Sequence, residues 1–402
     1  MPGIGTITVS SLAALFGLGG IYLRRRVSRN WIDYRQLGPA DLDGRVIVIT
    51  GANVGLGYES AKEFVKRNGT VVLACRDVAK AEEAARRIVK SVGGGIAGRA
   101  GSRSSTPQNV ALVHVEQSLD CMEVDLASLE SVRTFASKLT AKYPSIYALV
   151  CNAGVWVPME EERKTGDGYE IHFGVNHLGH FALIKSVVDH MAKSKEECRV
   201  VLVSSGLLRS GKIDMDKQDF VYEGRKVEAA ATEEGTSTSR TSTSTASDGA
   251  EEALLPNNND ERRQKKKKKK NASFAPTGYC DSKLMNALMA RQLATTLGKT
   301  APHVSTYAVC PGFCRTSLGR HVSFPLYKKI MFAPIMLMIQ RTCVQGSQNI
   351  IHATLEAKET MQSGSMYRDG EVANDETDFL DSLDKDLPKK LWDLSEKLLG
   401  KK

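Results

Sequence analysis

Residues 45–57 read RVIVITGANVGLG. Val46–Ile49 is an unbroken run of β-branched apolar side chains, and Thr50 adds a fifth β-branched residue. Such a run without polar alternation predicts a strand buried on both faces. Gly51, Gly55 and Gly57 follow at once, and helical spacing then carries from Leu56 to Arg67. Thr70–Cys75 (TVVLAC) repeats the buried-strand pattern. Two such strands joined by a helix imply a parallel pair with a right-handed crossover.

The alternation continues outward from this unit. Helices are predicted over Lys80–Ser91, Leu129–Tyr143, Asn176–Met191 and Asp281–Leu297. Strands are predicted over Met122–Leu126, Tyr147–Cys151, Arg199–Ser204 and Val304–Val309. About six parallel strands with helices between them make an α/β fold, a single Rossmann-like doubly wound parallel sheet with helices on both faces. Two stretches break the rhythm. Residues 93–108 (GGGIAGRAGSRSSTPQ) are rich in Gly and Ser and predict a flexible loop. Residues 228–273 hold almost no large apolar side chains and predict a disordered surface insertion.

The 402 residues suggest two domains by length alone. One catalytic domain over 41–400, the two insertions at 93–108 and 228–273, and an N-terminal segment over 1–30 account for the length instead. Ile4–Leu23 carries no charge and, as a helix, is about 30 Å long, one hydrocarbon core. Arg24, Arg25, Arg26 and Arg29 follow it. That charge order fits a transmembrane anchor better than a cleaved signal, and it places the remaining chain on the cytosolic side. The endoplasmic reticulum is the favoured membrane, the mitochondrial membrane the alternative.

The net charge is +9. Residues 24–29 supply +4 of it and residues 262–270 supply +8, so the rest of the chain is slightly acidic. A folded surface built to bind nucleic acid is excluded on that distribution. The lysine run at 265–270 reads as a solvated loop, a contact for anionic lipid or a targeting signal. The eight cysteines contain no C-x-x-C pair and read as buried reduced thiols. No histidine spacing completes a ligand set, so no metal is expected.

The glycine loop between strand and helix lets the backbone turn tightly and approach a pyrophosphate at a helix N-terminus. Its spacing is G-x-x-x-G-x-G rather than G-x-G-x-x-G. The second strand ends in Arg76-Asp77. An arginine there favours a ribose 2′-phosphate, so NADP(H) is expected ahead of NAD(H); the plain alternative is a surface Arg–Asp pair. Tyr279 and Lys283 stand at i and i+4 at a predicted helix start, where the ammonium, with an oxidised nicotinamide close by, would lower the phenol pKa toward acid/base use. Ser204-Ser205, Asn152-Ala153-Gly154 and Asn176 lie at predicted strand ends or a helix start, and all would converge at the carboxyl edge of the sheet.

The pieces TGANVGLG (50–57), Asp125-Leu126, CNAG (151–154), VNHLGHF (175–181), VLVSS (201–205), YCDSK (279–283) and CPG (310–312) together resemble the short-chain dehydrogenase/reductase superfamily. ACRD (74–77), DGYEIHFGVNHLGHF (167–181), YCDSKL (279–284), RTSLGRH (315–321) and LWDLSEKLLG (391–400) are similar to its membrane-anchored retinol dehydrogenase group. The resemblance implies Tyr279 as acid/base, Lys283 as its modulator and ribose ligand, Ser205 on the substrate oxygen and Asn176 behind a relay water. It implies a cofactor site at Gly51, Asn53, Gly55, Leu56 and Gly57, with Asp125 at the adenine and Asn152, Ala153 and Gly154 along the cofactor. Pro311, Gly312 and Thr316 would flank the nicotinamide. Two departures stand out: Cys151 replaces the first Asn of the usual Asn-Asn-Ala-Gly, and 74 residues separate Ser205 from Tyr279.

The apolar, Met-containing stretch Phe324–Ile339 suits a wall for a lipophilic substrate, ordinary core or contact with the membrane surface. The expectation is an NADP(H)-dependent oxidoreductase for a lipophilic alcohol and its aldehyde or ketone, retinoid-like or lipid-derived, with a homodimer as one open assembly. Its rival is a non-catalytic NADP(H)-binding scaffold acting through the 228–273 insertion.

Overall fold

The computed structural model describes residues 41–100, 108–158, 163–194, 196–215, 276–316 and 340–400, with isolated positions between 317 and 339. The candidate span 4–23 and the 228–273 insertion lie outside them. Among the described residues no helix is long and apolar enough to cross a membrane.

Eight strands form one sheet: β1 (Val46–Thr50), β2 (Thr70–Cys75), β3 (Leu119–Glu123), β4 (Ala148–Cys151), β5 (Cys198–Val203), β6 (Val304–Val309), β7 (Met366–Arg368) and β8 (Glu371–Val372). Their order is β3-β2-β1-β4-β5-β6-β7-β8. All pairs are parallel except the terminal β7–β8 hairpin. The order reverses at β1, which pairs with both β2 and β4. A cleft therefore opens beyond the carboxyl ends of β1 and β4.

Successive side chains of each strand enter opposite cores. Val48 packs with α4 (Leu129–Lys142), α5 (Gly179–Lys193), α6 (Thr277–Thr300) and α9 (Leu387–Leu399). Ile47 and Ile49 pack with α1 (Gly55–Lys66), α2 (Val78–Ala100) and α7 (Cys343–Leu355). Both faces of the sheet are thus covered, as the unalternating apolar runs require. The two short helices α3 (Gln108–Gln117) and α8 (Asn374–Asp381) complete the set.

Several predicted boundaries shift. The third strand lies at 119–123, not 122–126; Asp120 and Glu123 hide its apolar signal because this edge strand is only half covered. The loop expected over 93–108 is narrower, since α2 runs through Gly93–Gly95 to Ala100. A helix once nucleated gains a bond per added residue, which offsets a cost of roughly 1 kcal/mol per glycine. Asn176 does not open a helix. It sits inside a π-helical turn, Phe173–Leu178, that leads directly into α5. The β7–β8 hairpin has strands of only three and two residues, too short to show as strand in the sequence.

Thr50, the last residue of β1, joins three elements through one hydroxyl. Its Oγ1 accepts from the backbone N–H groups of Asn152 (2.9 Å) and Ala153 (3.0 Å), just past β4. It also meets His180 Nε2 on α5 at 2.9 Å. His180 Nδ1 lies 3.0 Å from the carbonyl of Asn176, which can only accept, so Nδ1 carries the proton. Nε2 is then the acceptor and Thr50 donates to it. Burial holds this imidazole neutral, lowering its pKa to about 4.

Thr50→Val keeps the shape, leaves the Ala153 N–H and the buried His180 acceptor without a partner, and leaves the Asn152 N–H only the Val150 carbonyl. The expected loss is on the order of 3 kcal/mol, read as a lower denaturant midpoint, with Thr50→Ser recovering most of it.

Candidate active site

The glycine loop between β1 and α1 is shaped by backbone that side chains would spoil. Gly51 and Gly55 have φ of +67° and +65°, a region that L residues with a Cβ rarely adopt. A Cβ on Gly57 would stand 2.6 Å from Asn152 Nδ2 and 2.7 Å from the Gly51 carbonyl. Asn152 Nδ2 itself donates to the Thr50 carbonyl at 2.9 Å. Val54, at the N-cap of α1, offers no side-chain acceptor, and the first turn has no acidic residue. The helix end thus keeps free N–H groups and its positive dipole end aimed out of the loop. This cradle fits a dinucleotide diphosphate.

At the end of β2 the two charged neighbours differ. Asp77 is engaged: its carboxylate accepts from the Lys80 backbone N–H (3.1 Å) and pairs with Lys80 Nζ (2.8 Å), which lowers its pKa. Arg76 is exposed and makes no ion pair among the described residues. Beside it, Asn53 of the glycine loop is pinned through its carbonyl by Arg87 Nη2 at 3.0 Å. Asp125, past β3, caps its own turn, with Oδ1 accepting from Ala127 N–H at 2.9 Å.

Pro311, Gly312 and Thr316 follow β6. Thr316 comes within 3.8 Å of where a Cβ on Gly55 would be, and Leu56 and Pro311 meet at Gly346 of α7. This loop is held by a residue the sequence reading did not single out. Arg341 forms a two-pronged ion pair with Asp369 and lies against Gly312, while its backbone bonds Phe313 (2.7 Å) and Arg315 (2.8 Å). An isolated Arg and Asp 28 positions apart carry no local pattern that would reveal the pair.

Tyr279 and Lys283 sit in the first turns of α6, both buried. Lys283 Nζ donates to the Val203 carbonyl at 2.9 Å, at the end of β5, and lies 5.6 Å from the Tyr279 ring centre. The ammonium also borders Gly154. Burial lowers its pKa from 10.5 to about 8. Ser205 caps the short 3₁₀ turn Gly206–Ser210 through Leu207 N–H (3.2 Å), and its hydroxyl lies near enough to the Tyr279 phenol to favour the ionised form. In the protein by itself, Lys283 does not lower the Tyr279 pKa. Burial pushes the phenol well above its ordinary value, and Ser205 opposes this only in part. The ammonium's hydrogen-bond partner is the Val203 carbonyl, not the phenol oxygen.

The Asn176 side chain is fully committed. Its Oδ1 accepts from Val155 N–H (2.8 Å), and its Nδ2 donates to the Val155 carbonyl (3.1 Å) and to Ser282 Oγ (3.0 Å). It ties the strand after β4 to α6. The ends flanking the long insertion meet as well: Lys212 N–H donates to Asp281 Oδ1 at 2.7 Å, and Asp281 is raised to about 6, chiefly by burial. The 74-residue gap in sequence is therefore closed in space. Trp156 and His172 stand against the Tyr279 ring, with Glu170 bonded to His172. Glu170 and His172 lie in the stretch DGYEIHFG; nothing in the sequence marks Trp156.

A family model for short chain dehydrogenase matches residues 95–215. Retinol dehydrogenase 14 of Mus musculus is 32% identical over 98% of this chain and 99% of its own length. Retinol dehydrogenase 12 of Homo sapiens is 31% identical over 89% of this chain and 87% of its own length. Among solved structures, an uncharacterised protein from Mycobacterium paratuberculosis superposes with a TM-score of 0.56 at 23% identity, covering 92% of this chain and 98% of that one. The Pseudomonas aeruginosa RhlG/NADP active-site complex gives 0.50 at 16%, covering 81% and 95%; at these identities the likeness is one of fold. With the curated relatives spanning nearly the whole chain, and the glycine cradle and the Ser205–Tyr279–Lys283 cluster at one sheet edge, the chain belongs to the short-chain dehydrogenase/reductase superfamily, in its retinol dehydrogenase group.

Proposed function

We propose that the protein reduces lipophilic aldehydes or ketones to alcohols, and runs the reverse reaction, with NADP(H) as cofactor and Tyr279 as the proton-transfer group. The observation that carries this reading is the meeting of Tyr279, Ser205 and Lys283 beyond the ends of β5 and β6, beside the glycine cradle. When bound, the nicotinamide supplies or takes the hydride.

The chain's own residues do the rest. Ser205 Oγ is placed to hold the carbonyl oxygen beside the Tyr279 hydroxyl. Tyr279, protonated in its buried setting, has a proton to give as negative charge grows on that oxygen. Lys283 keeps a positive charge beneath the pair without reaching solvent. Asn176 acts by fixing the Val155 segment against α6.

Arg76 supports NADP(H) over NAD(H), because it presents a guanidinium beside the ribose end of the cradle while the neighbouring carboxylate is already engaged. The enzyme's substrate would be delivered at a membrane, with Ile4–Leu23 as the anchor and Arg24–Arg29 marking the cytosolic side.

Tyr279→Phe should lower turnover with NADPH and a lipophilic aldehyde by at least ~10²-fold, with NADPH binding intact; undiminished turnover removes Tyr279 from the reaction. Arg76→Ala should raise KM for NADPH about tenfold and leave KM for NADH nearly unchanged. The Lys283 charge is present below its folded pKa and lost above it. Reduction should therefore decline as pH rises through about 8, measured as a pH–kcat profile, and the basic limb should vanish from the residual activity of Lys283→Met.

A further inference from the structure

Three side chains beside Tyr279 have no part in the chemistry above. The indole of Trp156 lies nearly parallel to the Tyr279 ring, with centres 5.3 Å apart and planes at 19°. His172 meets the same ring edge-on at 6.3 Å and 81°. Both nitrogens of His172 are committed. Nε2 faces the backbone N–H of Val157 at 3.0 Å, and that group can only donate, so Nε2 is the bare nitrogen. The proton sits on Nδ1 and goes to Glu170 Oε1 at 2.7 Å. Glu170 Oε2 accepts from Phe173 N–H at 2.8 Å, where the π turn begins. The carboxylate thus sets the tautomer, and the tautomer supplies the acceptor for Val157.

Val157 directly follows Trp156. One imidazole therefore holds both members of the ring stack, Trp156 through the adjoining backbone and Tyr279 through its edge. The first turn of α6 closes on the same pair. A Cβ on Gly278 would stand 3.0 Å from His172 Nδ1 and 3.2 Å from Glu170 Oε1. His172 is buried, whereas Trp156, just past the end of β4, is only partly buried. An aromatic surface held this firmly, beside the group that moves the proton, can align a substrate long enough to lie along it; a short one gains nothing from it.

We propose that Glu170 and His172 are positioning residues that fix Trp156 as a rigid apolar wall over Tyr279, and that this wall selects long apolar carbonyl substrates over short ones. The inference rests on Tyr279 as the proton-transfer group.

His172→Asn keeps a donor toward Glu170 but lacks an acceptor at the Nε2 position. His172→Gln can place an amide oxygen there. With NADPH, His172→Asn should lose about tenfold or more in kcat/KM for a long-chain aldehyde and much less for propanal, with the NADPH dissociation constant unchanged. His172→Gln should recover most of the loss. Equal damage in both variants, equal loss on both aldehydes, or no loss in either overturns the proposal. A second measurement does not need turnover. With Trp31 and Trp392 replaced by Phe, acrylamide quenching of Trp156 fluorescence should rise in His172→Asn and not in His172→Gln. Quenching that is the same in all three proteins overturns the positioning role. The expected quenching pattern in a protein that reduces no aldehyde would keep the positioning and defeat the reading of Tyr279 alone.

Discussion

A hydroxyl group can give one proton and accept two, and Thr50 uses all three capacities. That one side chain fixes the end of β1 against the end of β4 and against α5. From it a hydrogen-bonded line runs through His180 to the Asn176 carbonyl, then from Asn176 Nδ2 to Ser282 Oγ, which in turn donates to the Tyr279 carbonyl at 2.8 Å. The glycine cradle and Tyr279 are thereby held in one frame. The frame is buried throughout, so each of its polar groups must find its partner inside the protein.

How legible these parts were in the sequence follows from how local their causes are. Buried central strands announce themselves, because a strand covered on both faces has no polar alternation; β6 was placed at 304–309 to the residue. The edge strand β3 and the β7–β8 hairpin did not, since each is partly open or very short. The positions of Gly51, Gly55 and Gly57 could be read because their constraint is a backbone one, visible as residue type. The resemblance marked Tyr279, Ser205, Lys283 and Asn176 out. What it could not supply was their state: the raised phenol of Tyr279 and the fully used amide of Asn176 depend on burial and on neighbours far away in the chain. The Arg341–Asp369 clamp and the His172 contacts were invisible for the same reason, each joining residues whose spacing means nothing until the chain is folded.

The long separation of Ser205 from Tyr279 has a simple mechanical resolution. Gly211 packs against the Cys280 backbone, and Lys212 N–H meets Asp281. The folded core thus brings the two flanks together by its own contacts. The entropy of closing a segment grows only with the logarithm of its length, roughly 0.6 kcal/mol per doubling. The number of residues between the flanks therefore has little leverage on the geometry of the cluster.

The π turn at Phe173–Leu178 accommodates one more residue per turn than the helix it feeds. Each residue in a helix advances the facing direction by about 100°, so the turn acts as a phase shifter. The apolar stripe entering it and the stripe leaving it both face the core, yet they do not belong to one continuous period. Removing a single residue here would restore regular winding and bring the two stripes into one period, so that His180 would go on facing Thr50 and Phe181 would keep its edge contact with Trp392 on α9. The turn is thus the place in this helix where a change in residue count can be absorbed.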